Sequence, residues 1–235
     1  MGLFKDILSI FKKREIYLKE KYKEVADIYT FIFEMREQIN WKAGQHGLFT
    51  IDHVKVNRAT RAFSIASIPS EGQIKISMKI SENPSEFKQA LLNLQSGMKI
   101  SMRGPIGSFH PENQKPLLFI AGGIGITPYR ALIKDLLFNS VEISKDVQLL
   151  YMDSREEYIY TVELEEARKI SSIKTNYLIK RENLSEEIEK FIAKYDNEAE
   201  YFVAGPKSMT NAIEALLKIR GIKKKNIKRD KFVGY

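Results

Sequence analysis

The chain of 235 residues contains no cysteine. That absence excludes disulfides, all-cysteine iron–sulfur clusters, thiol relays and cysteine zinc sites. Histidine is nearly as scarce. His46, His53 and His110 are scattered, without the i, i+4 spacing of a helical metal pair, and no metal site is expected. Redox chemistry in such a chain falls to a bound organic cofactor. No uninterrupted apolar run approaches the roughly 20 residues that a membrane helix needs. The amino terminus lacks the small-residue cleavage pattern of a signal peptide, so a cytoplasmic protein is the expectation. Anionic residues are the minority: 30 Asp and Glu against 38 Lys and Arg leave a net charge of +8. The excess allows attraction to acidic proteins, nucleic acid or anionic lipid and selects none of them. A lysine-rich solvated surface accounts for it equally well. With no helix-turn-helix, zinc or RNA-binding motif, no nucleic-acid partner is expected.

What is present divides into two rhythms. From Gln73 to Ile80 the residues alternate, with Ile74, Ile76, Met78 and Ile80 on one face and Gln73, Lys75, Ser77 and Lys79 on the other. Lys99 to Arg103 does the same, with Met98, Ile100 and Met102 inward, and Asp27 to Phe33 is a dense β-branched and aromatic run. Period-two alternation with a polar outer face predicts antiparallel strands, and short strands separated by turns predict a small barrel. After the polar stretch from Pro111 to Pro116, short apolar runs alternate with helical patterns, which predicts parallel strands and crossover helices. The expected architecture is α+β with two domains: an antiparallel β-barrel over residues 15–112, then an α/β parallel-sheet domain over 113–235. Residues 1–14 stand apart. Leu3, Phe4, Ile7, Leu8, Ile10 and Phe11 share one helical face, followed by Lys12, Lys13 and Arg14. This amphipathic helix suits either packing on the barrel, self-association or peripheral contact with the inner face of a membrane.

Five segments are candidates for chemistry. Ala121 to Pro128 reads A-G-G-I-G-I-T-P, after an apolar strand and before a helix. Thr127 can cap that helix and Pro128 suits its first turn. Gly122, Gly123 and Gly125 would let backbone amides approach a pyrophosphate at the positive helix end. By itself the segment is equally a tight turn. In Arg61, Ala62, Phe63 and Ser64, strand periodicity puts Arg61 and Phe63 on one face, where a phosphate and a planar ring could be held. Alone, this is as readily a surface arginine and a core aromatic. The other three are R-G-P-I-G-S-F from Arg103 to Phe109, read as a turn closing the barrel, A-G-P-K-S-M from Ala204 to Met209, and D-K-F-V-G-Y from Asp230 to Tyr235.

In this order and at these spacings, the five motifs resemble the ferredoxin–NADP(+) reductase superfamily from about residue 15 to the end. The resemblance implies an FAD-containing, NAD(P)H-dependent reductase without an iron–sulfur domain. It implies that Arg61 binds the FAD pyrophosphate, Phe63 stacks on the isoalloxazine beside Ala62, and Ser64 hydrogen-bonds near flavin N5. Ser85, with the amides of Glu86 and Phe87, would help hold the pyrophosphate. Gly122, Gly123, Gly125, Thr127 and Pro128 would cradle the nicotinamide nucleotide, and Gly205, Pro206 and Met209 would line its pocket. Phe232 would cover the other flavin face. Ser64, Thr127, Asp230 and Phe232 would stand nearest the hydride transfer. The chain departs from the family pattern in having Phe63 where tyrosine is usual, Ala204 where cysteine is common, and Asp230 in place of glutamate.

The donor is read from Asp153, Ser154 and Arg155. Ser154 and Arg155 would hold a 2′-phosphate, and NADPH is therefore the expected donor; the alternative is NADH, with Asp153 accepting from the ribose hydroxyls. Electrons must leave to an acceptor on another chain or to a small molecule. The net charge and the cluster Lys223, Lys224, Lys225, Lys228, Arg229 and Lys231 point to an acidic carrier of the ferredoxin or flavodoxin type. The alternatives are a membrane-associated reductase of ferric chelates, flavins or quinones, and a flavin-binding subunit of a larger electron-transfer complex.

Overall fold

The structure, a computed structural model, describes residues 12–111, 114–139, 146–170 and 172–232. Most of the expected amino-terminal helix thus lies outside the described residues, and Arg14 already belongs to a strand. The chain divides into two units, Met1–His110 and Pro111–Tyr235.

The first unit contains β1 (Arg14–Val25), β2 (Ile28–Met35), β3 (His46–Thr50), β4 (Thr60–Ser64), β5 (Gln73–Lys79), α1 (Glu86–Leu92) and β6 (Lys99–Ile106). Every strand pair is antiparallel, in the order β4-β3-β6-β1-β2-β5. Past the end of β4 the Ala66 amide donates to the Lys75 carbonyl at 2.8 Å. The Ser67 hydroxyl donates to the Gln73 carbonyl and accepts from the Lys75 amide, at 2.7 and 3.0 Å. These bonds join the two outer strands and close the sheet into a barrel. Ile16, Leu18, Phe31, Phe33, Ile74, Ile76, Met78, Ile100 and Met102 fill its interior.

Two expectations need correction, and one strand was not anticipated. The polar side of β5 does not simply face water, because Lys75 and Ser77 are buried. Ser77 meets Thr30 in a hydroxyl–hydroxyl bond across the β2–β5 ladder, and residues 66 and 67 run alongside Lys75. The segment from Arg103 to Ile106, read as a turn, continues β6 through a cis Gly104–Pro105 peptide, and the chain leaves the ladder only at Gly107. The strand β1 escapes the hydrophobic pattern altogether. Only Ile16 and Leu18 point into the core, while Lys19 to Lys23 form an exposed ribbon held by β2. Helix α1 is fixed at both ends. The Ser85 hydroxyl accepts from the Lys88 amide, and the Lys21 ammonium donates to the carbonyls of Leu92 and Leu94 at the negative helix end.

The second unit runs β7 (Leu117–Gly122), α2 (Thr127–Asn139), β8 (Val147–Met152), α3 (Thr161–Ala167), β9 (Ile173–Leu178), α4 (Arg181–Tyr195), β10 (Glu200–Pro206), α5 (Lys207–Ile219) and β11 (Ile227–Phe232). All five strands are parallel, in the order β11-β10-β7-β8-β9. The near-continuous apolar run of β7 is explained by helices on both faces; Leu117 to Ala121 are wholly buried. Helix α5 ends in a Schellman turn. Gly221 takes φ +82°, the Ile222 amide donates to the Leu217 carbonyl and the Gly221 amide to the Lys218 carbonyl. Chain progress outward from β7 through β8 to β9, and then back to β10, makes the β7–β10 junction the topological switch point. In open parallel sheets, ligands bind beyond the carboxyl ends of the strands at such a point.

Candidate active site

In the barrel, alternation along β4 turns Arg61 and Phe63 to one side, and both meet α1. The Phe63 ring stacks on Phe87, with centroids 5.8 Å apart and planes at 27°, and meets Phe49 edge-on at 5.8 Å. The Arg61 guanidinium lies 5.7 Å from the Phe87 centroid and donates to the carbonyls of Arg58 and Thr60, at 2.6 and 2.9 Å. Among the described residues no carboxylate pairs with it. A second cation adjoins it. Lys88, one residue beyond Phe87, has its pKa lowered by burial; the Asp27 charge opposes this, and the Arg61 charge adds a smaller lowering. An arginine bonded only to carbonyls, with a second cation near it, favours an anionic ligand. Ser64 occupies the alternate side of β4, is buried (7% exposed) and pairs across the ladder with His46. The Glu86 carboxylate accepts from the Asn57 amide at 2.5 Å, which holds the loop before β4 onto α1.

In the α/β unit, Gly122 to Ile126 and Gly205 with Pro206 stand at the switch point, at the carboxyl ends of β7 and β10. The glycines are required by the chain's own packing. A Cβ on Gly125 would stand 2.3 Å from the Ala204 carbonyl oxygen, and one on Gly122 would stand 2.5 Å from the Met209 sulfur. Gly205, at φ +147°, has no room on the Gly122 side. Met209, expected at the nucleotide, packs its thioether into the notch that Gly122 and Gly205 leave. Thr127 does not cap α2. It has helical backbone angles, and its hydroxyl donates to the Ile124 carbonyl at 3.2 Å, because the 3-10 turn Gly123–Ile126 runs directly into the helix. The first turn of α2, with Pro128, carries no acidic residue of its own. Tyr129 fixes that helix to the sheet by donating to the Ile120 carbonyl at 3.0 Å. Burial holds its phenol pKa well above the usual value, and the nearby Asp230 charge adds to this. Asp230 lies opposite Ala204 in the ladder, and the Phe232 backbone opposite Pro206. The Phe232 side chain lies outside the described residues.

Two domain models match this chain: an oxidoreductase FAD-binding domain over residues 15–110 and an oxidoreductase NAD-binding domain over 119–215. The chain belongs to the ferredoxin–NADP(+) reductase superfamily. It is 30% identical over 222 residues to the F subunit of the Na(+)-translocating NADH-quinone reductase of Chlamydia caviae, covering 78% of this chain and 51% of that one. It is 24% identical over 191 residues to the toluate 1,2-dioxygenase electron transfer component of Pseudomonas putida, covering 74% and 54%. The chain thus spans about half the length of the relatives it matches. Among solved structures, the ferredoxin–NADP(+) reductase of Plasmodium falciparum superposes with a TM-score of 0.81 at 21% identity, covering 97% of this chain and 99% of that one. The cytochrome b5 reductase domain of Ulva prolifera nitrate reductase gives 0.80 at 22%, covering 94% and 98%. These two likenesses concern the fold.

The residues present fit the superfamily's cofactors. For FAD, the fit rests on the donor set: an arginine with only carbonyl partners, a neighbouring lysine, the Ser85 hydroxyl, and a pair of stacked rings. For the nucleotide, it rests on the acid-free start of α2 at the switch point. After β8, Asp153 is buried (6% exposed) and its carboxylate accepts from the Arg155 amide at 2.8 Å, which closes its own turn. Arg155 forms an ion pair with Glu157, and Ser154 is exposed. Sequence reasoning missed Lys88, Glu157 and the Phe87 ring. Each is chosen by contacts made after folding, although a cation beside Phe87 was visible in S-E-F-K.

Proposed function

We propose that this chain is the flavin reductase part of an electron-transfer system, taking hydride from a nicotinamide dinucleotide and passing electrons to a separate acceptor. Arg61 binds pyrophosphate, with Lys88 adding charge, and Phe63 with Ala62 lines the flavin ring, backed by Phe87. Ser85 and the amides of Glu86 and Phe87 complete the pyrophosphate contacts, and Ser64 orients the ring edge. Gly123 and its neighbours, with Gly205 and Pro206, seat the nucleotide, and Thr127, Asp230 and Phe232 border the reacting rings. Bound FAD supplies a two-electron acceptor that can release its electrons singly or in pairs. The protein supplies orientation, the larger part of its catalytic effect.

The observation that carries this reading is the joint grouping of Arg61, Lys88, Phe63 and Phe87. Its test is the visible spectrum of the purified protein with FAD, followed by anaerobic addition of NADH or NADPH. Flavin absorbance that bleaches with the donor is expected; protein that remains colourless after added FAD defeats the proposal.

We take NADH as the donor. The Arg155–Glu157 pair supports this, since a 2′-phosphate would have to displace a carboxylate from the guanidinium. The relative from Chlamydia caviae also carries NADH in its name. The acceptor is a redox protein, as the name "electron transfer component" indicates for the Pseudomonas relative. A second reading, one component of a larger assembly, is favoured by the likeness to part of a quinone reductase. Robust oxidation of NADH by the isolated chain with an artificial dye favours the first.

A further inference from the structure

The basic cluster expected to receive an acidic carrier is dispersed by folding. Arg229 pairs with Glu214, and Lys228 lies 5.5 Å over the Phe202 ring. The Lys231 side chain lies outside the described residues. The other three, Lys223, Lys224 and Lys225, are all exposed, on the turn between α5 and β11. Their neighbours are neutralised: Lys218 by Glu214 and Arg220 by Glu189, each at 2.7 Å. These three have no ion-pair partner among the described residues. Asn197 draws another lysine to them. Its side-chain oxygen accepts from the Lys223 amide at 2.8 Å, and its carbonyl accepts from the Lys115 ammonium at 3.3 Å. Two exposed carboxylates, Asp196 and Glu198, flank Asn197 in the chain. At the end of α5, Ile219 is 75% exposed. The helix dipole accounts for a lysine in the last turn, but not for three beyond the Gly221 stop.

All these groups stand at the amino-terminal ends of β7, β10 and β11. The nucleotide crevice is at the carboxyl ends, about 20 Å away along a six-residue strand. A carrier docked on the lysines would sit far from the end where hydride leaves, a point that rests on the proposed function. We propose that this end of the α/β unit is a docking surface for an anionic membrane. Lysine is depleted from the cores of protein interfaces. Compact lysine charges around a lone exposed aliphatic side chain suit phospholipid headgroups, each lysine contributing about 1 kcal/mol near an anionic leaflet.

The test is cosedimentation of the full chain with phosphatidylcholine vesicles, with and without phosphatidylglycerol. Binding that requires phosphatidylglycerol and weakens with salt is expected. Joint substitution Lys223→Gln, Lys224→Gln and Lys225→Gln should weaken it about 100-fold, at about 1 kcal/mol per lysine. Ile219→Ser should weaken it further, and thermal melting and NADH–dye activity should stay at parent levels. Parent-like vesicle binding by the triple variant overturns the proposal, and so does an intact chain indifferent to phosphatidylglycerol. Selective loss of a complex with an acidic redox protein, with vesicle binding retained, overturns it in favour of a protein partner. The vesicle-binding readouts do not depend on whether the flavin chemistry is right.

Discussion

Gly125 packs against Ala204 so closely that a Cβ would stand 2.3 Å from the Ala204 carbonyl oxygen. That oxygen belongs to the backbone of a central strand, so no rotamer change relieves the contact. Gly125→Ala therefore forces the turn after β7 away from β10, at the upper end of the about 1–3 kcal/mol typical of overpacking or beyond it. Gly72→Ala is the control, having open space and only a left-handed φ of +66°, a cost of about 1–2 kcal/mol. Thermal melts should place the Gly125 variant below the Gly72 variant, with NADH affinity lost only in the former. Equal melting and equal NADH binding in the two would remove the packing role.

Arg61 bonds only to carbonyls, and its charge reaches Lys88. Arg61→Ala should weaken FAD binding by about 1.5–3 kcal/mol, the range for hydrogen bonds to charged groups, or roughly 10- to 100-fold. Arg61→Lys should recover only part, because an ammonium lacks the planar fork. Lys88→Ala should weaken FAD binding less than Arg61→Ala. Titration of the apoprotein, followed by quenching of FAD fluorescence, reads each constant. An Arg61→Ala protein with parental FAD affinity would take Arg61 out of the site.

The contrast between these two sites shows what a chain can reveal before it folds. The i, i+2 spacing of Arg61 and Phe63 announced a shared face, but Phe87 and Lys88 enter from a later helix that only closure of the barrel brings alongside. The glycines of A-G-G-I-G-I-T-P marked a strand-to-helix turn correctly and for an incomplete reason. Ala204 and Met209, which fill the space where two of their side chains would be, belong to a different crossover. The core face of β5 was legible because Ile74, Ile76 and Met78 alternate with polar residues. The burial of Lys75 and Ser77 was not, because it depends on Thr30 and on the segment after β4. The strand β1 hid behind its lysines and glutamates, since a ribbon held on one side by β2 needs few apolar residues.

Asp146 accepts hydrogen bonds from the Tyr195 hydroxyl and the Lys194 ammonium. The tyrosine bond first, and the lysine second, hold its carboxyl below the usual aspartate range. A depressed folded pKa stabilises above the unfolded value of about 3.9 and ceases to do so as pH falls through the folded value. Melting temperature should fall more steeply with acidification below about pH 4 in the parent than in Asp146→Asn. At neutral pH the variant should melt slightly lower, the difference being small because 46% of the Asp146 side chain is exposed. Parallel melting curves for the two proteins from neutral to acid pH would show that the carboxylate contributes nothing.

The Arg155–Glu157 ion pair bears on the choice of donor. While Glu157 holds the guanidinium, NADH should exceed NADPH in kcat/KM for dye reduction. Glu157→Gln removes the competing charge and leaves Arg155 available to a 2′-phosphate. NADPH use should then rise about tenfold, equivalent to about 1.4 kcal/mol, with NADH use unchanged. Adding Arg155→Ala should abolish that gain, while Arg155→Ala alone should leave NADH kinetics at the parent level. A parent enzyme that prefers NADPH, and loses the preference with Arg155→Ala, would show that the arginine leaves its carboxylate when the phosphate arrives, and NADPH would be the donor.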